Sequence, residues 1–376
     1  MNVLVIGGGV IGLGIARKIH IRGVRGITVL ERDHVGRGAS WAAAGMLAPN
    51  AETEEIDDFY TFCVRSNELY PRFAADLLDE TGIDIELDDH GTLYLAFSPE
   101  DQAEIERRYR KQRDAGIEVE RLTRREVRSI EPNVAGAVCE GLYFRGDGQV
   151  ENRKLLAALA AYAENSGISI RENTTVDSLI IDDGRVTGVQ CGAEQIHADR
   201  TILATGAWSS LIKFGDERVP FDIKPIRGQI VCFSPEGRLI NRVIYDPKGY
   251  VVPRADGRVL AGSTVENVGF DAAVTTEGVE RLKRMAIEIL PTLAEAEISD
   301  QWAGLRPFSP DGLPVIGEVA GLAGLTVATG HYRNGILLAP LTARVVADSI
   351  ISGEPVNVPS CFTPERFAPS VNFAGC

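Results

Sequence analysis

The sequence predicts an α/β protein of two parts: a parallel sheet wrapped by helices, interrupted by a second, mainly antiparallel β-sheet. Three stretches carry this reading. Near the N-terminus the apolar run Val3-Leu4-Val5-Ile6 enters Gly7-Gly8-Gly9-Val10-Ile11-Gly12. A helix-compatible segment follows from Leu13 to Ile21, and the strand Ile27-Thr28-Val29-Leu30 ends on Glu31. Close to the other end, Leu325-Thr326-Val327-Ala328 reaches Thr329-Gly330-His331, then an apolar helix from about Asn334 to Ile351. Between them, residues 216–300 carry short strands separated by Pro-Glu-Gly, Asp-Pro-Lys-Gly and Ala-Asp-Gly turns, a density that suggests antiparallel hairpins.

The first stretch is a complete Rossmann-like βαβ unit. Gly7 permits the tight turn off the strand, Gly9 lets backbone approach a pyrophosphate, and Gly12 lets helix and strand pack closely. Free N–H groups and the positive dipole end of the helix suit a phosphate pair there, beside Val10 and Ile11. Glu31 lies nineteen residues past Gly12, near the offset of an acid that grips a ribose 2′-hydroxyl. The same carboxylate would repel a 2′-phosphate, which disfavours an NADP-type cofactor. The unit reads as a dinucleotide site, with NAD and FAD both open at this point.

Gly36 to Leu47 is too rich in small residues to build a core; it lets something large and flat lie against backbone, with Ser40 offering a hydroxyl. A small-residue helix packed on the sheet is the competing reading. Residues 52–81 read as helical, with Phe59, Tyr60, Phe62, Tyr70 and Phe73 as core anchors. Strands are expected at Asp84–Leu87 and Thr92–Phe97, a charged helix at 99–115 capped from Ser98, and a short helix opened by the Thr123…Glu126 capping box. A helix starting at Asn152 ends at Gly167, and the apolar strand Thr201–Ala204 exits sharply at Gly206. This assigns 1–82, 147–215 and 301–365 to a discontinuous nucleotide domain, 83–146 and 216–300 to a second domain, and 366–376 to a tail.

The 376 residues are ordinary in composition, 44% hydrophobic and 24% charged, which excludes a disordered chain. A net charge of −14 argues against nucleic acid or an anionic membrane as partner. Cys63, Cys139, Cys191, Cys232, Cys361 and Cys376 show no C-x-x-C spacing and read as thiols of a reducing compartment, with no metal site. With a strand starting at Val3 and no apolar run near the roughly 20 residues of a membrane span, a cytoplasmic protein is expected. Leu155–Ala163 is the longest such candidate noted, and reads as a core-facing helix.

The set GGGVIG, Glu31, GASWAAAGML, ATGAWS, YVVPR, WAGLRP, DGLPVIG and GHYRNGILLAP resembles the D-amino-acid-oxidase-like FAD amine oxidoreductases over nearly the whole chain. Within them it is most similar to the glycine oxidases linked to thiamine biosynthesis. The resemblance implies a GR2-type FAD domain with a substrate domain on an antiparallel sheet. It implies a non-covalent FAD along residues 7–47, with Arg32, Ala39, Ser40, Ala44, Gly45 and Met46. Val176, Gly206 and the run His331, Tyr332, Arg333, Asn334, Gly335, Ile336 and Leu337 complete the contacts. Arg306 in GLRP then looks like the clamp of a substrate carboxylate, Tyr250 in GYVVPR its hydroxyl partner, and Arg333 a further residue on the substrate side. Arginine suits the clamp because its planar fork matches a carboxylate. A structural ion pair for Arg306 and a core aromatic for Tyr250 are the alternatives. His331 reads as structural or flavin-side.

The implied reaction is oxidative deamination of glycine, sarcosine or small D-amino acids by hydride transfer to flavin N5, the imino acid hydrolysing and dioxygen giving hydrogen peroxide. The helix start at Gly335–Leu337 would stabilise charge on the reduced flavin. A dehydrogenase with another electron acceptor is a second reading, and a flavin-binding tRNA-modification partner or redox sensor a third. The resemblance also suggests a homo-oligomer, a tetramer.

Overall fold

The computed structural model describes residues 1–53, 55–214, 217–218 and 221–367. The N-terminal half supplies β1 (Asn2–Ile6), α1 (Val10–Ile21), β2 (Gly26–Leu30), α2 (Asp58–Asn67), α3 (Tyr70–Thr81), β3 (Thr92–Ala96), β4 (Glu120–Thr123), β5 (Glu140–Phe144) and α4 (Asn152–Asn165). The remainder supplies β6 (Ser169–Arg171), β7 (Arg200–Leu203), β8 (Lys224–Ser234), β9 (Val243–Asp246), β10 (Gly249–Pro253), β11 (Val259–Gly262), β12 (Glu297–Phe308), β13 (Leu322–Thr329) and α5 (Gly335–Ser352).

The first sheet holds the parallel order β13-β7-β1-β2-β6, running out to the edge strand β6. β1 is buried from Val3 to Ile6, as expected of a strand covered on both faces. One face packs on α1, α4 and α5 through Val3, Val5, Leu13, Leu155, Leu159, Leu338 and Val346. The second sheet runs β12-β8-β11-β10-β9-β3-β5-β4, antiparallel except where β9 meets β3. Both an α/β nucleotide domain and a mainly antiparallel second sheet are therefore present.

Four details differ from the sequence reading. The expected strand Asp84–Leu87 is irregular, because Glu86 takes a left-handed backbone (φ 52°) and its N–H donates to Asp84 Oδ1 at 2.8 Å, an Asx turn that ends strand pairing. The boundary at residue 300 falls inside β12, whose whole length pairs with β8, so Arg306 is carried by the second sheet. Arg366 is tied back to Asp311 at 2.7 Å and starts no free tail, while 368–376 lie outside the described residues. Finally, the 18-residue α5 has the length and hydropathy of a membrane span, a longer apolar run than Leu155–Ala163. Two-thirds of it is buried inside the protein, which is the position of a core helix.

α5 needs outside help, because Pro340 sits inside it and cannot donate to the carbonyl four residues back. The hydroxyl of Tyr70 at the start of α3 donates to that Ile336 carbonyl. Ser66 of α2 enters the next step, donating to Leu337 O at 2.7 Å and accepting from Leu341 N–H at 3.3 Å. The aromatic segment 59–73 thus supplies hydrogen bonds as well as core volume. Tyr70→Phe is expected to lower unfolding free energy by ~1–3 kcal/mol, the cost of an unsatisfied buried carbonyl. Denaturant titration checks it, and unchanged stability would remove this role.

Candidate active site

A long cleft runs from the end of β2, past the start of α1, to the start of α5 and the adjoining face of the second sheet. At the β2 end, Gly7 has φ 108°, and a side chain there would collide with the Ala204 carbonyl of the strand exit. Both oxygens of Glu31 are engaged, by Gly8 N–H at 2.8 Å and Asp33 N–H at 3.0 Å, so the acid is held at the cleft edge. Ser40 Oγ accepts from Val10 N–H at 3.1 Å. The Arg32 guanidinium lies over Trp208, 4.2 Å from the ring centre, closing this end.

The segment 39–47, a single helical turn at Ala39–Ala42 set against β12 as the competing reading had it and then extended chain, presents backbone to the cleft because its carbonyls are taken from behind. Asn152 Nδ2 donates to Ser40 O and Trp41 O at 2.8 and 3.0 Å, Trp302 Nε1 to Ala42 O at 3.0 Å, and Arg254 to Ala44 O at 3.0 Å. Arg254 is fully enclosed, also bonding Gln149, Val150 and Asn152 and facing Glu151 at 3.2 Å. It fastens β10 of the second sheet to the nucleotide domain.

The helix starts at the cleft leave backbone donors open. α2 is capped by Asp57, and the Pro99–Asp114, Arg124–Ile130 and Thr276–Ile289 helices by Ser98, Thr123 and Thr275. α1 and α5, whose starts line the cleft, are not capped by their own N-cap residues, and Ser40 takes only the Val10 N–H of α1; α3, away from the cleft, also lacks such a cap. The N–H groups of Gly335, Ile336 and Leu337 find no acceptor among the described residues. A ligand with a phosphate pair at one end and an electron-accepting ring at the other would satisfy both sets of donors.

His331, behind this helix start, is buried with Nε2 3.2 Å from Thr342 Oγ1, and burial depresses its pKa to about 3. Its imidazole is neutral at physiological pH and cannot supply a cation to the ring. Tyr332 takes a left-handed backbone (φ 46°) and packs edge-on against Phe308 of β12, 4.9 Å between ring centres.

On the second sheet Arg306 crosses β8 and is aimed at the cleft. A side chain at Gly228 would fall inside its guanidinium, so only glycine leaves that path open. Nη2 donates to Ser263 Oγ at 2.6 Å and Nη1 to Thr264 O at 3.1 Å. No carboxylate among the described residues forms an ion pair with Arg306, which removes the structural-pair alternative. The Tyr250 ring is buried against Tyr245, and a Cβ at Gly262 would sit 2.7 Å from it. Its hydroxyl has no partner among the described residues and lines the cleft. Arg333 is paired instead: its Nη2 donates to Glu52 Oε1 at 3.3 Å, and the Glu52 charge raises its pKa further.

Of the residues singled out from sequence, Gly7, Gly9, Val10, Ile11, Glu31, Arg32, Ala39, Ser40, Ala44, Gly45, Met46, Val176 and Gly206 all line the cleft. So do Tyr250, Arg306 and the run from His331 to Ile336. Gly12 and Leu337 do not: Gly12 lies behind the turn against the Gly7 carbonyl, and the Leu337 side chain is in the core. Sequence reading missed Gly228, Gly262, Ser263 and Glu52. Each is defined by a side chain distant along the chain, and no local pattern announces it.

A family described as FAD dependent oxidoreductase matches residues 2–349, and the chain belongs to it. FAD is its cofactor, and the starts of α1 and α5, Glu31 and the segment 39–47 are the parts of this cleft that would hold it. Among relatives, glycine oxidase of Pseudomonas aeruginosa is 36% identical over 369 residues, 96% of this chain and 98% of that one. The bifunctional protein ThiO/ThiG of Trichormus variabilis is 36% identical over 370 residues, and the chain spans 55% of its length. The crystal structure of glycine oxidase from Geobacillus kaustophilus superposes with TM-score 0.90 at 34% identity, covering 97% of this chain and 98% of that one.

Two outcomes follow. Gly228→Ala is expected to keep its flavin, read from visible absorbance, yet weaken carboxylate ligands by about tenfold or more, since Arg306 must shift; equal affinity would refute the packing argument. Below pH 6.5 an unfolded His331 gains a proton that the folded one, with pKa about 3, refuses, so stability falls as pH drops from 6.5 towards 3. The slope is at most ~1.4 kcal/mol per pH unit for this group. His331→Gln should flatten acid denaturation over that range, and an unaltered slope would count against it.

Proposed function

We propose that the protein oxidises glycine and related small amino acids and amines, with dioxygen as acceptor. The observation that carries this is Arg306, an unpaired cation held open by Gly228 on the same cleft wall as the free hydroxyl of Tyr250. An α-carboxylate is the ligand such a guanidinium takes, bidentate through its planar fork. FAD, when bound, would supply the two-electron redox chemistry, with dioxygen as the final acceptor. The chain's own part is placement. Arg306 would hold the carboxylate and Tyr250 would donate to it, which orients the α-carbon within the cleft. The Gly335–Leu337 N–H groups offset negative charge that develops at their end of the cofactor. The imino acid formed hydrolyses in water to glyoxylate, or another keto acid, and ammonia.

Glycine oxidase and ThiO/ThiG relatives support this substrate class and a role in thiamine biosynthesis. A cytoplasmic homo-oligomer is part of the same proposal. Anaerobic addition of glycine, sarcosine and D-alanine to the yellow holoprotein should bleach the flavin. Admitting air should restore it rapidly with stoichiometric peroxide. Slow recovery would mean a dehydrogenase, and no bleaching by any of the three would end the amino-acid reading. Arg306→Ala should cut kcat/KM by about 10²-fold or more, the loss of a charge-assisted bidentate contact; full turnover would overturn the clamp.

A further inference from the structure

The cleft also holds a carboxylate with one oxygen left without a hydrogen bond among the described residues. Of the acids lining it, Glu31 and Asp33 stand at the β2 end and Glu52 at the substrate end, where the cleft opens into a neighbouring cavity also lined by Tyr250, Ser263 and Arg333. Glu52 uses one oxygen twice: Oε1 accepts from Tyr245 Oη at 2.7 Å and from Arg333 Nη2 at 3.3 Å. Oε2 takes no hydrogen bond from any described residue and is not sealed from the cavity.

The position of Glu52 is built. It ends the single turn Pro49–Glu52, and Asp147 accepts from Asn50 N–H at 3.1 Å and Ala51 N–H at 2.9 Å. From the other side Arg108 donates to Ala51 O and Gln112 to Asn50 O, both at 2.8 Å. The braces of the two charges are neighbours on the second sheet. Tyr245, which holds Glu52, pairs with Tyr250, and Tyr250 pairs with Gly262, next to the Ser263 that holds Arg306.

We propose that Glu52 Oε2 accepts a hydrogen bond from the substrate's α-amino group while Arg306 takes its carboxylate. One unpaired cation and one unpaired anionic oxygen on a shared cavity are the complement of an α-amino acid. Glu52 is thereby the residue that separates amino acids from plain carboxylic acids of the same size. This rests on the amino-acid reading above. The competing role is purely to hold Arg333.

The test uses holoenzyme and two ligands: glycine, by the concentration dependence of anaerobic flavin reduction, and acetate, by perturbation of the flavin spectrum. Glu52→Gln should weaken glycine by about tenfold or more, the scale of a lost charge-assisted hydrogen bond, and leave acetate unchanged or tighter. Glu52→Asp keeps the charge and withdraws the oxygen, and should weaken glycine selectively too; it carries the test if the Gln variant loses flavin. Arg333→Met should not raise the glycine-to-acetate ratio of dissociation constants. Equal weakening of both ligands, no change in either, or an Arg333→Met ratio matching Glu52→Gln overturns the assignment. If the wild type is not bleached by glycine at all, the amino-acid reading has failed instead.

Discussion

The structure depends on two helices crossing with their N-termini open to one cleft. α1 begins at residue 10 and α5 at residue 335, and they pack along each other with Gly14 of α1 set against Ala339 and Ala343 of α5. Small residues at that crossing let the backbones approach. The distance between the two sets of N–H donors is then a property of one packed contact, not of a loop. Each donor set keeps N–H groups without an acceptor among the described residues, Ser40 taking only that of Val10, an unfavourable state for a helix start that a bound dinucleotide would relieve. The Pro340 break lies in the same region as the crossing. Ser66 and Tyr70 repair it from outside, so α2 and α3 support the helix start that lines the cleft without lining it themselves.

The second sheet is joined to this frame by a buried cation. Arg254 is enclosed by Gln149, Val150, Asn152 and Ala44, with Glu151 opposite, so moving the sheet away would strand a charge in a poor dielectric. The cost of separation keeps β10, and with it Tyr250, in register with the segment 39–47. On the same sheet two glycines act as gaps: Gly228 for the Arg306 guanidinium and Gly262 for the Tyr250 ring. Orientation of the Arg306 and Tyr250 side chains is thus set by what is absent on neighbouring strands.

The charges at the substrate end are divided by pairing. Arg333 is matched by Glu52, Arg306 by no carboxylate among the described residues, and His331 is kept neutral by burial. Between Arg306 and Arg333 at this end of the cleft, the one left without a carboxylate is therefore Arg306. Two arginines lying near one another in the motifs GLRP and GHYRNG have different roles only because one acid reaches one of them.

Much of this was legible in the chain. The glycine spacing, the strand and helix periods and Glu31 are local patterns, set by backbone sterics and by burial over a few residues, and they hold in three dimensions. So do the capping boxes at Ser98 and Thr123. The reading failed where a local conformation overrode strand propensity, at Glu86, and where pairing across the sheet decides an element's allegiance, at β12. It was silent on Glu52, Ser263, Gly228 and Gly262, because each acts through a partner tens to hundreds of residues away. The sequence by itself determined a dinucleotide fold and the types of side chain that serve its site. Only the tertiary structure decided which arginine stays unpaired, which acid faces the cleft and which helix starts remain open, since charge pairing and steric clearance are properties of neighbours in space.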